Sequence, residues 1–318
     1  MINNKKPLIV IAGPTACGKT NLSIELAKLI NGEIISGDSM QIYKYMNIGT
    51  AKITDKEMNN INHYMIDEIY PDEEFNIKIF KEKAVQYMSI IYNNNKLPIL
   101  CGGTGFYINA LVNDNNFMET TTNHKLRDYL YNYAEKFGNL ALHKKLEEID
   151  PDSAKKIHYN NIKRIIRAIE FFENTKIPIS LHNKEEKEKL SPYNIAFIVL
   201  NMKREILYDK INIRVDNMIK SGLVQEVKKL IDMGYNENLV AMKGIGYKEL
   251  IPYINNKISL EDAIYEIKKS TRHFAKRQIT WFKRQTKNSL WIDLSEMDKK
   301  TAIEKILIYI KNLKIIDD

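Results

Sequence analysis

Pro7-Leu8-Ile9-Val10-Ile11-Ala12-Gly13-Pro14-Thr15-Ala16-Cys17-Gly18-Lys19-Thr20 is the stretch that decides the fold. An apolar run rich in β-branched residues enters G-x-x-x-x-G-K-T, and helix-patterned sequence follows. Strand, glycine-rich turn and helix in that order form the context in which backbone amides cradle a phosphate. Each part has its own physical reason. Gly13 and Gly18 let the chain turn with its N–H groups aimed inward. The helix opening near Lys19 presents the positive end of its dipole. Lys19 adds a mobile charge, and the Thr20 hydroxyl suits Mg²⁺. The loop alone does not specify which phosphate compound it takes.

Working outward, Leu22, Leu26, Leu29 and Ile30 recur at helical spacing, and Gly32 is expected to end that helix. Glu33-Ile34-Ile35-Ser36 reads as a second strand, followed by Gly37-Asp38-Ser39-Met40-Gln41-Ile42-Tyr43. A βαβ unit puts the C-terminal ends of its parallel strands on one rim, so Asp38 shares the rim of the phosphate loop. A carboxylate beside a polyphosphate is repelled unless it has a task. Holding Mg²⁺ and accepting a proton are the two tasks that fit, and an ordinary turn or helix cap is the structural alternative. Leu97 to Cys101 is a third strand, and Gly102-Gly103-Thr104-Gly105 after it is a second glycine-rich turn. Its amides and the Thr104 hydroxyl can reach an anion from the side opposite the first loop. Asn47 to Lys52 reads as a tight polar turn, Lys56 to Phe80 is mixed, and His63 reads as structural or surface.

From about Glu119 to about Asn183 strand signals vanish. His124 to Lys136, Asn139 to Ile149 and Asn161 to Asn174 read as helices, punctuated by Asp150-Pro151-Asp152 and Ile177-Pro178. The fold class is therefore α/β, a P-loop NTPase-like parallel sheet core (1–118 and 184–318) with an inserted all-helical domain (119–183). Lys163 and Arg167 lie four apart on one helical face, with Arg164 beside them and Arg127 in an earlier helix. Lys184 to Lys189 reads as a flexible hinge. The sheet resumes at Tyr193 to Leu200. Helices follow over Arg204 to Ile219, holding Arg214, and over Leu223 to Met233. Another is expected to open at Gly244-Ile245-Gly246-Tyr247-Lys248. The longest runs from Leu260 to Arg284, where Lys269, His273 and Arg277 lie beside Lys268, Arg272 and Lys276. These rows form a basic stripe suited to phosphodiester or pyrophosphate. A short strand over Ser289 to Leu294 and a helix over Asp298 to Leu313 close the chain.

Composition bounds the partners. With 318 residues, 44% hydrophobic and 28% charged, the chain is an ordinary globular protein. Two cysteines exclude a disulfide scaffold and lead us to expect a reducing cytosol. No apolar stretch spans a bilayer and no signal peptide precedes the first strand, so no membrane association is expected. A net charge of +8 points to a polyanion, although the abundance of Asn, Ile and Lys makes arginine placement the better guide.

Taken together, Gly13 to Thr20, Ser36 to Tyr43, Gly49-Thr50-Ala51-Lys52, Gly102 to Tyr107 and Lys276-Arg277-Gln278-Ile279-Thr280-Trp281 resemble the bacterial tRNA dimethylallyltransferase family across nearly the whole chain. The resemblance implies transfer of a dimethylallyl group from dimethylallyl diphosphate to N6 of the adenosine 3′ of the anticodon. It implies that Gly13, Pro14, Thr15, Ala16, Cys17, Gly18, Lys19 and Thr20 hold the diphosphate, with Mg²⁺ on Thr20. Asp38 matches the general base, Ser39, Met40 and Gln41 match the rest of the segment that grips the target base, and Thr104 matches a catalytic residue opposite, near the diphosphate and the base. Arg214 matches an arginine that meets the diphosphate. Arg127 and the run Lys163, Arg164, Ile165, Ile166 and Arg167 match contacts of the insertion with the tRNA anticodon stem-loop. Arg272 and Arg277 of the stripe are further expected RNA contacts. No obligate protein partner is evident. Departures include Cys17, where Ser or Ala is usual, Asn62 and Tyr64 flanking His63, and Lys163 in place of a frequent Gln.

Three alternatives remain at this level. A small-molecule P-loop kinase explains the first loop but not the basic insertion. An adenine-nucleotide prenyltransferase shares the loop and Asp38 but has less need of that insertion. An RNA-binding protein without chemistry has no need of Asp38.

Overall fold

The structure, a computed structural model, describes residues 5–116, 123–286 and 288–316. In chain order the elements are β1 (Lys6–Ala12), α1 (Lys19–Leu29), β2 (Gly32–Ser36), α2 (Asp55–Met58), β3 (His63–Tyr64), α3 (Ile77–Asn93), β4 (Leu97–Gly102) and α4 (Gly105–Val112). Then come α5 (His124–Phe137), α6 (Asn139–Ile149), α7 (Pro151–Ala154), α8 (Ile162–Thr175) and α9 (Ile179–Glu188). The chain continues through β5 (Tyr193–Asn201), α10 (Arg204–Lys220), α11 (Leu223–Asp232), a 3₁₀ turn (Ala241–Lys243), α12 (Leu250–Ile254), α13 (Leu260–Gln285), β6 (Leu290–Asp293) and α14 (Lys299–Asn312).

It divides into two compact units, Met1–Val112 with Pro192–Asp318, and Asn113–Ser191. Sequence reading set the junctions at 118/119, which lies outside the described residues, and at 183/184.

In the first unit six strands form one sheet in the order β3-β2-β4-β1-β5-β6, every pair parallel. Strand β1 sits between β4 and β5 and is covered on both faces. Leu8, Val10 and Ala12 enter one apolar layer with Phe80, Leu111 and Phe282. Ile9 and Ile11 enter the other with Leu22, Leu26 and Ile306. A strand buried on both faces must be apolar at consecutive positions, which is why the first stretch is an unbroken hydrophobic run. The sheet order places the C-terminal ends of β2, β4 and β1 side by side. The loops that leave them therefore meet on one rim.

The second unit contains helices and no strand among its described residues. Leu130, Leu142, Leu146, Ile165 and Ile169 form its separate core.

Several expectations are corrected. Gly32 is the first residue of β2, and the helix ends earlier, with Asn31 in the left-handed region at φ 52°. A side chain at position 32 would crowd Ile99 and the Leu97 carbonyl. The expected hinge at Lys184 to Lys189 instead lies largely within α9. There His182 and Glu186, one turn apart, are buried, and Glu186 accepts the Asn116 N–H at 2.6 Å. The glycines at 244 and 246 form a turn, and the helix expected there begins only at Leu250. The mixed region holds the two-residue edge strand β3, too short for a periodic signal.

Candidate active site

The loop from Gly13 to Gly18 joins β1 to α1, with Gly18 at φ 97° capping the helix. That left-handed conformation suits glycine and turns successive amides toward one centre. Lys19 folds back across the loop, its ammonium donating to the carbonyls of Gly13 at 3.0 Å and Pro14 at 2.7 Å. Asp38 follows β2. Its Oδ1 accepts the Met40 N–H at 2.8 Å, a local turn that leaves the second carboxylate oxygen for a ligand. Thr104 follows β4 and faces the Asp38 segment. Its Oγ1 accepts the Ser39 N–H at 3.3 Å, and its own N–H donates to the Gly37 carbonyl at 3.3 Å.

These loops open onto one cavity of about 430 Å³ lined by Thr15, Lys19, Thr20, Asp38, Arg214 and Gln278 among others. That volume is in the usual range for a small-molecule site. Arg214 comes from α10. Burial lowers its guanidinium pKa, the Asp38 carboxylate partly opposes that, and both side chains line the cavity. A more open cavity of about 620 Å³ adjoins it, and Ala51, Lys52, Glu57, Lys210 and Arg214 line both.

Surrounding contacts fix the rim. Gln41 accepts from Ser36 at 3.1 Å and donates to the Thr50 carbonyl at 3.4 Å, and Met40 packs on Gly244. Lys52 donates to Asp67 at 2.5 Å and to the Tyr43 carbonyl at 2.7 Å. His63 also lines the cavity. Burial pulls its pKa down against the pull of the Ile61 carbonyl, which sits 2.8 Å from Nδ1. The departures beside it have a local reason. Asn62 at 2.7 Å, Tyr64 at 2.8 Å and Lys96 at 2.7 Å all donate to buried Glu33.

Three residues here carry roles that the sequence did not assign. Gln278 accepts the Thr15 N–H at 2.9 Å and donates to the Gly103 carbonyl at 3.0 Å, joining the two glycine-rich loops. Lys210 stands one turn before Arg214, a spacing that was visible in the sequence. Glu226 of α11 accepts the N–H groups of Asn47, Ile48 and Gly49 and so shapes the turn before Lys52.

The expected RNA contacts separate into two groups. Ile165 and Ile166 are buried in the core of the helical unit, so their side chains cannot meet RNA. Arg127 forks onto buried Glu170 at 2.8 and 2.7 Å, and Arg167 reaches the same carboxylate at 3.2 Å. Lys163 and Arg164 are exposed. The stripe on α13 is not continuous. Arg272 bonds Asn212 at 2.8 Å and Lys268 bonds Asp216 at 2.6 Å, which turns that row toward α10. Arg277 is exposed and lies over the Phe274 ring.

A model of the IPP transferase family matches residues 41–285. The chain belongs to the IPP transferase family. Among its relatives is the tRNA dimethylallyltransferase of Acetivibrio thermocellus, 52% identical over 302 residues, covering 95% of this chain and 96% of that one. The tRNA dimethylallyltransferase of Lachnoclostridium phytofermentans is 50% identical over 298 residues, 94% of this chain and 95% of that one. Among solved structures, the full-length tRNA isopentenylpyrophosphate transferase of Bacillus halodurans superposes with a TM-score of 0.74 at 42% identity, covering 97% of each chain. A eukaryotic dimethylallyltransferase acting on tRNA gives a TM-score of 0.84 at 32% identity, covering 98% of this chain and 79% of that one. Like these family members, the chain carries its parallel sheet in an α/β core. No helix among the described residues is long and apolar enough to cross a membrane.

Proposed function

We propose that this IPP transferase family member moves a dimethylallyl group from dimethylallyl diphosphate to N6 of the adenosine 3′ of the anticodon, in tRNAs reading codons that begin with U. The observation that carries this reading is the shared cavity. An anion cradle and a carboxylate from different strands line one small chamber.

In the reaction the C–O bond to the diphosphate breaks, the C–N bond forms, and the N6 proton leaves. The loop amides, Lys19 and Arg214 stabilise charge growing on the departing diphosphate. Asp38 orients the exocyclic amine and takes its proton on the oxygen that Met40 leaves open. Ser39 and Thr104, bonded to each other, brace the wall beside that carboxylate. Thr20 lines the cavity next to Lys19 and offers a neutral oxygen, the donor type Mg²⁺ takes beside phosphate oxygens and water. Mg²⁺ held there supplies neutralisation of the diphosphate charge. A base reaches such a chamber only after leaving its stack. Lys163 and Arg164 are the insertion residues suited to the RNA backbone.

The test incubates the chain with Mg²⁺, labelled dimethylallyl diphosphate and unmodified tRNA, with ATP and free adenine nucleotide as competing substrates. Label on the tRNA adenosine with equimolar diphosphate release is expected. Release of γ-phosphate from ATP, or label on free nucleotide alone, refutes the reading.

A further inference from the structure

Gln278 is 6% exposed and reaches the cavity from α13, far in sequence from both groups it hydrogen-bonds. Its Oε1 accepts the Thr15 N–H at 2.9 Å and its Nε2 donates to the Gly103 carbonyl at 3.0 Å. A methyl group at position 103 would lie 2.2 Å from that nitrogen, so the amide occupies the space any side chain there would need. Beyond Gly103 the contacts continue. Thr104 N–H donates to Gly37, Ser39 N–H donates to Thr104, and Met40 N–H donates to Asp38. Beside the β1–β4 and β2–β4 ladders, which align the strand ends, Gln278 adds a side-chain link between the anion loop and the turn that contacts the Asp38 segment. Three residues further along α13, the Trp281 ring packs against Gly105, anchoring the helix to the same turn.

We infer that Gln278 is a positioning residue of the transfer reaction, fixing the distance between the loop that holds the leaving group and the segment that carries Asp38. The inference rests on the proposed prenyl transfer. The chemistry requires an amide, because one end of the side chain must both accept from an N–H and donate to a carbonyl. A carboxylate at the same place meets Gly103 oxygen to oxygen. The Thr15 amide is already engaged by Gln278, so this contact acts between the loops rather than on the anion.

The test uses the full chain. Wild-type transfer to unmodified tRNA comes first, and its absence overturns the prenyl-transfer reading together with this inference. With transfer in hand, Gln278→Ala and Gln278→Glu are compared by steady-state kinetics and by calorimetric binding of inorganic diphosphate with Mg²⁺. A loop displacement of about 1 Å lowers kcat by about 100-fold. Diphosphate and tRNA affinities for Gln278→Ala stay within about three-fold of wild type, the pattern of an interaction expressed in the transition state. Gly103→Ala alone, which pushes the amide aside, loses kcat similarly. The double variant Gly103→Ala/Gln278→Ala is close to Gln278→Ala, because the 2.2 Å clash is gone and only the Gly13 carbonyl, at 3.3 Å, still presses on the methyl. That double variant carries the test if Gln278→Ala does not fold. Unchanged kcat in folded variants, a loss confined to diphosphate affinity, or additive losses in the double variant overturn the inference and leave prenyl transfer standing.

Discussion

The Tyr247 hydroxyl donates to Glu226 at 2.6 Å, and the same carboxylate holds the turn at residues 47–49 through three backbone amides. That turn leads directly into Ala51 and Lys52, which line the cavity. Glu226→Gln removes the charge and turns an N–H₂ group toward those donors. A loss of about 1 kcal/mol in stability is expected, the net worth of hydrogen bonds to partly exposed donors. Urea unfolding of wild type and variant measures it, and an unchanged midpoint denies Glu226 this role.

Asp38→Asn keeps the acceptor for the Met40 N–H but cannot take a proton. Transfer is expected to fall by about 10² to 10⁴-fold while tRNA affinity stays near wild type. Single-turnover transfer and filter binding on the same preparations separate the two. Equal loss of both makes Asp38 a binding residue instead.

Glu170 supplies a pH prediction. Burial alone raises its pKa, but hydrogen bonds from Arg127, the Asn123 amide and Arg167 outweigh burial and hold it below the ordinary glutamate value. The folded chain therefore binds this proton less readily than the unfolded chain. Its stabilising contribution is complete above the unfolded pKa and is lost as pH falls through the folded one. Protection factors of α5 and α8 amides, which correct for the slower intrinsic exchange in acid, are expected to fall on acidification below about pH 4.5, the region where free glutamate titrates. Glu170→Gln flattens that dependence. It also costs about 1 kcal/mol, because two partly exposed arginines exchange a charged acceptor for a neutral amide. Identical pH dependence in wild type and variant rules the pair out as its source.

Lys163 and Arg164 are exposed, whereas Arg127 is occupied by Glu170. Lys163→Ala and Arg164→Ala are each expected to weaken tRNA binding and reduce its salt slope by about 1. Arg127→Ala is expected to act mainly on stability. Titrations at several salt concentrations decide, and an undiminished slope in the first two variants excludes them as phosphate contacts.

Lys210→Ala removes a cation from the wall shared by the two cavities. The donor KM is expected to rise by about three- to ten-fold with kcat little changed, as for uniform binding. An unaltered KM places Lys210 outside the donor path.

The parts of the fold that were legible in the sequence share one property, which is that their signal is local. The apolar run Leu8 to Ala12 announces a strand covered on both sides, and Asn139 to Ile149 shows a helix at its observed limits. The loops bearing Lys19, Asp38 and Thr104 were readable because each follows a strand of one parallel sheet. What escaped depends on distance in the chain. The charged run Lys184 to Lys189 hid that its own Glu186 is buried beside His182, accepting from the distant Asn116 amide as well as from neighbouring Lys189. Nothing near Gln278 reveals that it ties Thr15 to Gly103, and the periodicity of α13 could not say which of its cations Asn212 and Asp216 would occupy.

Gly102 presses on Gly37 so closely that a methyl group there would lie 2.4 Å from the facing backbone. Main chain meets main chain, and the width of the gap between those two turns is set by peptide planes alone. Anyone wishing to admit a bulkier acceptor finds nothing to trim at that point. Enlarging the chamber from this side means lengthening one of the turns, and a longer turn carries the Asp38 carboxylate away from the facing loop.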